Sequence, residues 1–258
     1  MVGRVPSGRD CVWLGRPDVN ISLIIREKGP MSTSTSGRKL RRDPDLTKRE
    51  ILDAAAEEFA RHGPNDARTD DIAERTNTSK RMIYYYFESK EALYSRVLLE
   101  NYMGIRSLET ALDLAELSPV EGLVRLIRAT LDFYEENQNL VRIVALENLL
   151  KGGSVAAQIP DFQKLNASAP KILAELLERG RADGVFRSGE GAPDALDVHQ
   201  VLSALVLNRV EHRATFRTAF GRDMLDGQDR GHVRALIEET VLRLVLADPE
   251  VYFAELRH

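Results

Sequence analysis

The sequence predicts an all-α fold, and three observations carry that reading. From Asp45 onward apolar residues recur at helical spacing, and helix start and stop signals bracket the runs. No alternating strand pattern of useful length intervenes, and no Asn-Gly or Asp-Gly turn joins two strand-like runs. The 258 residues suffice for a small domain followed by a mid-sized one.

Each element follows from local signals. Thr47-Lys48-Arg49-Glu50 reads as a capping box, with Thr47 capping the backbone and Glu50 reaching back. Ile51, Leu52, Ala55, Ala56 and Phe59 form the inner face of that helix, and Gly63-Pro64 stops it. Thr69 is the expected N-cap of a short second helix, with Asp70 and Asp71 in its first turn and Ile72 and Ala73 facing inward. It runs out at Asn77, a residue that tolerates a left-handed turn. Thr78 or Ser79 caps a third helix with Ile83 and Phe87 inward, and Ser89 caps a fourth with Leu93, Val97 and Leu98 along one face. Beyond Ser118-Pro119 the expected helices are 119–136, 139–151, 161–181, 193–217 and 231–247. Gly152-Gly153, the stretches 180–184 and 189–193, and the polar run 221–230 separate them. No internal repeat is present.

Composition excludes several classes. The only cysteine is Cys11, so there is neither an internal disulfide nor a Cys-based zinc site. The five histidines, His62, His199, His212, His232 and His258, lack metal-type spacing, and no metal or cofactor is expected. No apolar run approaches the ~18–20 residues that cross a bilayer. Mean hydropathy is −0.29, ordinary for a globular chain. The formal net charge is −4, so overall basicity does not argue for a nucleic-acid partner. Its distribution says more: residues 38–97 carry a net +1, residues 98–258 a net −7 and the first 37 a net +2.

Residues 1–44 read as a disordered leader and basic arm. The first 30 residues lack a helical or strand period and read as sequence upstream of the true start, as a disordered leader, or as an extension of unspecified function. Met31 opens a Ser/Thr run, and Arg38-Lys39-Leu40-Arg41-Arg42 follows, either a phosphate-binding tail or a solubilising one.

Residues 68–87 hold two short helices joined by a tight polar turn. The second presents Lys80, Arg81, Tyr84, Tyr85 and Tyr86 outward while Ile83 and Phe87 face in. One reading is a helix-turn-helix, in which one helix positions and the other lays its polar face in the major groove. Lys and Arg reach base acceptors there, and tyrosines bond phosphates or pack on thymine methyls. The other reading is a basic, tyrosine-rich amphipathic helix on an ordinary bundle, and spacing alone weighs the two evenly.

The stretch from Arg49 to Val97 resembles the N-terminal domain of the TetR family of transcriptional regulators. The matching residues are Ile51-Leu52-Asp53-Ala54-Ala55, Phe59, Gly63, Thr69-Asp70-Asp71-Ile72-Ala73, Ser79 to Phe87 and Ser89-Lys90-Glu91-Ala92-Leu93. The resemblance implies a DNA-binding domain over 45–105 and a helical regulatory and dimerisation domain over 106–258. It places Ser79, Lys80, Arg81, Tyr84 and Tyr85 at the DNA, with Lys80, Arg81, Tyr84 and Tyr85 on the base-reading face, and gives phosphates to Thr69, Tyr86 and Lys90. Two departures stand out: Thr76-Asn77-Thr78 replaces the family's usual small residue, Gly and apolar residue in the turn, and Pro64 replaces the usual aromatic or aliphatic residue after Gly63.

The second half resembles the family's regulatory domain more loosely, at Gly180 to Arg187 and at Asn208 through Phe216 with Phe220-Gly221-Arg222-Asp223. That likeness implies a homodimer built on the last two long helices, with Val201, Leu205, Leu236, Val241 and Leu244 as seam residues. An inducer site would lie among the middle helices, lined by Phe133, Leu146, Leu149 and Phe162, with Arg142 and Glu147 able to anchor a polar group. The expected protein is a cytoplasmic repressor, released from a palindromic double-stranded DNA operator by a small molecule. It carries no catalytic constellation: no phosphate-cradling Gly loop, HExxH or GxSxG occurs. A constitutive DNA-binding regulator is the nearer rival. An all-α enzyme is the further one and would need a pair of Glu-x-x-His motifs, of which the second half holds one alone, Glu255-Leu256-Arg257-His258.

Overall fold

Asp43, not Thr47, starts the helical part of the chain. The computed structural model describes residues 43–255; the leader and the arm with Arg38, Lys39, Arg41 and Arg42 lie outside the described residues. The Asp43 carboxylate accepts from the Asp45 N–H at 3.0 Å, and Pro44 takes the first helical position, where no N–H is required. Helix α1 (Pro44–Asp66) therefore begins a turn before the expected box. Thr47 sits inside it, its hydroxyl donating to the Asp43 carbonyl at 3.0 Å. Gly63 breaks the helical path with φ 75° and ψ 171°, a conformation that side-chain-bearing residues resist, and this ends α1 proper ahead of Pro64.

Three helices complete the first half: α2 (Thr69–Arg75), α3 (Lys80–Phe87) and α4 (Lys90–Ala111). The N-cap of α2 is Arg68, without a side-chain cap, and Thr69 is the first helical residue instead of the cap. Ile51, Ala55, Phe59, Ile72, Ile83 and Leu93 form an apolar core that Ile143, from further along the chain, also joins. Phe87 is only half-buried at its edge.

The second half comprises α5 (Pro119–Glu136), α6 (Gln138–Lys151), a 3-10 turn (Ala156–Gln158), α7 (Phe162–Leu165), α8 (Ser168–Ala182), α9 (Ala195–Glu211), α10 (Arg213–Phe220), α11 (Gly227–Val245) and α12 (Pro249–Glu255). The single helix expected over 161–181 is two. Pro170 lacks an N–H and its ring collides with the carbonyl four residues back, so no helix runs through Asn166, whose side-chain amide instead donates to the Phe162 carbonyl at 2.9 Å. The expected 193–217 helix also divides, at His212. Arg213 then pairs through both nitrogens with Asp223, at 2.7 and 3.0 Å, fixing the start of α10 to the loop before α11.

The second core gathers Leu123, Ile127, Leu173, Leu177, Val198, Val206 and Val241 from α5, α8, α9 and α11. Val241 is fully buried inside the chain, which removes it from the expected dimer seam. Leu236 is half exposed, while Val201, Leu205 and Leu244 are partly buried against the core. At one edge of this core Glu135 accepts hydrogen bonds from Arg209, Arg230 and Arg234, tying α5 to α9 and α11. Among the described residues no helix is long and apolar enough to cross a membrane.

Candidate nucleic-acid interface and the cavity behind it

A buried carboxylate fixes the positioning helix. Glu58 on α1 is 1% exposed; one oxygen accepts from the Arg68 backbone N–H at 3.2 Å and the other from the Arg75 guanidinium at 3.0 Å. Both ends of α2 are thereby held on α1. The turn closes at Asn77, which takes the left-handed region at φ 49°, and the Thr78 N–H donates to the Ala73 carbonyl at 3.2 Å. The Thr76-Asn77-Thr78 departure thus retains the backbone turn.

The recognition helix α3 is capped by Ser79, whose hydroxyl oxygen accepts from the Met82 N–H at 3.2 Å. Ile83 is fully buried and anchors the helix, leaving Lys80, Arg81, Tyr84 and Tyr85 outward; Tyr85 is 75% exposed. Thr69 is buried, with its hydroxyl 3.3 Å from the Tyr84 hydroxyl, so it joins α2 to α3. Tyr86 is half-buried, with the Lys48 ammonium 5.6 Å from its ring centroid. Lys90 opens α4, which Ser89 caps by accepting from the Ala92 N–H at 3.0 Å. The Lys90 ammonium donates to the Asn65 and Ala67 carbonyls at 2.7 and 3.2 Å, which fastens the α1–α2 loop to α4.

These parts frame an open groove of about 490 Å³ lined by Arg68, Thr69, Lys80, Tyr84 and Lys90. Two of its features went unmarked in the sequence reading. Arg68 is exposed on the groove beside Lys80 and Lys90, a third cation where a phosphate would lie. Asp70 pairs with Lys80 at 2.9 Å, which raises the lysine's pKa and engages its ammonium within the chain. A basic residue just ahead of a helix, with an acid in the first turn ten residues before a lysine, was the available signal.

Behind this head, α4, α5, α8 and α9 enclose a small cavity of about 20 Å³, room for one water. Arg106, Glu109, Thr130, Tyr134, His199 and Ser203 are its polar lining. Arg106 donates to Glu109 at 2.9 Å, and both are almost wholly buried. Burial pushes the Glu109 carboxyl up to about 7, with Arg106 opposing only in part. Burial, with Arg106 adding to it, holds His199 below its usual pKa, and burial lifts the Tyr134 phenol to about 12. None of the five expected inducer residues lines this cavity. Phe133 packs on Gly104, and Phe162 meets Tyr102 edge-on at 4.8 Å. Leu146 is half-buried, Leu149 is 82% exposed, and Arg142 lies on an open cleft beside Asp53 and Glu57. Glu147 is buried, but it accepts from the Val155 N–H at 2.8 Å and holds the loop after α6.

A capped helix with an outward basic and tyrosine face, set on a short positioning helix and backed by a helical bundle, defines a helix-turn-helix DNA-binding regulator. Residues 51–97 match the model for bacterial regulatory proteins of the tetR family, and residues 119–241 match the tetracyclin repressor-like C-terminal domain. The HTH-type transcriptional repressor NicS of Pseudomonas putida is 30% identical over 199 residues, covering 77% of this chain and 92% of that one. The HTH-type transcriptional repressor SCO4008 of Streptomyces coelicolor is 34% identical over 158 residues, covering 60% and 75%. A bacterial regulatory protein of the tetR family from Rhodococcus RHA1 shares the fold with a TM-score of 0.61 at 22% identity, covering 78% of this chain and 98% of that one. The chain belongs to the TetR family of transcriptional regulators.

Proposed function

We propose that the protein is a homodimeric cytoplasmic repressor that a small molecule releases from a palindromic operator. The observation that carries this reading is the reach of α4. One 22-residue helix holds Lys90 at the DNA groove and Arg106 and Glu109 at the cavity, about 25 Å apart along its axis. A ligand that spreads the cavity displaces the start of α4, and with it the spacing of two recognition helices that must sit about one DNA turn apart. Two of the relatives are named as repressors, which supports the sign of regulation. Arg68, Thr69, Tyr86 and Lys90 hold phosphates; Lys80, Arg81, Tyr84 and Tyr85 face the bases. The dimer seam lies on the outer faces of α9 and α11, where Leu196 and Leu236 are exposed.

Release of a labelled operator during metabolite titration tests this reading. Linkage requires DNA to weaken ligand binding by the factor by which ligand weakens DNA binding, about 5–150-fold for a coupling of 1–3 kcal/mol. Ligands that bind the cavity yet leave operator affinity unchanged would support a constitutive regulator instead.

A further inference from the structure

We propose that the cavity between α4, α5, α8 and α9 takes an organic carboxylate with an apolar body, whose carboxylate pairs with Arg106 in place of Glu109. The proposal rests on the effector reading above and names the chemical class of that effector.

Arg106 is the reason. Its side chain is nine-tenths buried and lines the cavity, yet its Nε has no hydrogen-bond partner. A guanidinium offers parallel N–H donors that fit the two oxygens of one carboxylate. Glu109 engages Nη1 alone, so the resident carboxylate leaves part of the fork idle. Glu109 is also less firmly kept as an anion than an exposed glutamate, since burial brings its pKa up to about 7, within the physiological range. Its replacement by a ligand carboxylate therefore leaves a neutral carboxyl behind and one negative charge on Arg106.

The remaining polar lining agrees. His199 is held neutral and Tyr134 stays a protonated phenol, so neither adds a charge hostile to an anion. Arg106 disfavours a cationic ligand, and a neutral one leaves the guanidinium charge unmatched. Space for the body lies next door. A cleft of about 810 Å³ between the end of α4 and α8 shares Glu109 and Ile172 with the cavity, and Leu112, Leu114 and Leu176 line it. A carboxylate at Arg106 directs its apolar body past Glu109 into that cleft.

Calorimetric titration of the full chain tests the proposal with octanoate against octanol and octylamine, and with benzoate against benzamide. At least one carboxylate binds, about tenfold or more tightly than its neutral counterpart. Arg106→Gln weakens that binding about tenfold, whereas Glu109→Gln, which removes the competing carboxylate, strengthens it. A purely structural pair would lose affinity in both variants. Should Arg106→Gln fail to fold, the Glu109→Gln titration and the neutral counterparts still decide. Equal binding of the neutral counterparts, no binding of either carboxylate, or weaker binding by Glu109→Gln overturns the proposal. Operator release is scored separately. A neutral molecule that frees the operator contradicts the carboxylate class but preserves the effector reading. A carboxylate that binds as expected without freeing DNA preserves the site and contradicts the effector reading.

Discussion

Asp70 and Lys80 meet across the helix-turn-helix at 2.9 Å, so a phosphate or base competes with an internal carboxylate for that ammonium. Asp70→Asn frees the lysine and removes a negative charge from the groove. Its expected effect is tighter binding to any duplex, with a steeper salt dependence, measured by anisotropy at several salt concentrations. Lys90→Ala acts in the opposite direction: affinity falls for operator and scrambled DNA alike, and the salt slope flattens by about 0.9 for the one phosphate lost. An unchanged slope would leave Lys90 with only its bonds to the Asn65 and Ala67 carbonyls. Glu109 supplies a prediction on stability. Its folded pKa, raised by burial from 4.5 to about 7, means that the folded chain binds the proton more tightly than the unfolded one. The stability it contributes is complete below its unfolded pKa and is lost as pH rises through the folded value. Glu109→Gln should therefore flatten the fall in Tm between about pH 4.5 and pH 7. A slope identical to that of the unaltered chain would contradict the burial argument.

At the scale of elements, α8 and its turn depend on one absent side chain. A Cβ on Gly180 would stand 2.0 Å from the ring of Phe186, a residue that is 2% exposed and whose backbone bridges to Leu246. Gly180→Ala is expected to cost about 1–3 kcal/mol by overpacking, read from denaturant unfolding; a neutral substitution would mean that the ring has room to move. The sequence marked where such elements begin when the cap is local. Ser89 caps the helix expected of it, Ser79 takes the cap for which it and Thr78 were the two candidates, and Asn77 takes its left-handed turn. It misplaced α1 because Asp43-Pro44 competes with Thr47 as a start signal, and only the folded backbone shows which prevails. The breaks within 161–181 and 193–217 were masked by apolar periodicity that continues across them. Pro170 was the overlooked signal in the first. The outward face of Lys80, Arg81, Tyr84 and Tyr85 was legible because these residues fall on one eight-residue helix. The cavity was not, because Arg106, Tyr134 and His199 come from α4, α5 and α9, and no local pattern announces that three helices converge. Of the aromatic and aliphatic residues expected at an inducer site, Phe162 packs on Tyr102 and Leu149 faces solvent.

In the proposed homodimer two heads face one duplex. Leu236 on α11 is half exposed within a helix whose Val241 and Val245 are fully buried, which marks it as an outward apolar residue rather than core. Leu236→Glu is expected to shift sedimentation from dimer to monomer and to weaken operator binding, while helicity by circular dichroism is retained. A dimer of undiminished stability would move the seam elsewhere. The twofold symmetry of the proposed dimer would also fix what the DNA must look like, because each α3 would read its own half-site and successive major grooves recur about once per 10 base pairs. Selection of bound duplexes from a random-sequence pool by the full chain tests this most directly. The account predicts an enriched palindrome whose half-site centres lie about 10 base pairs, or a multiple of that, apart. Enrichment of no sequence, or of one without twofold symmetry, would contradict it.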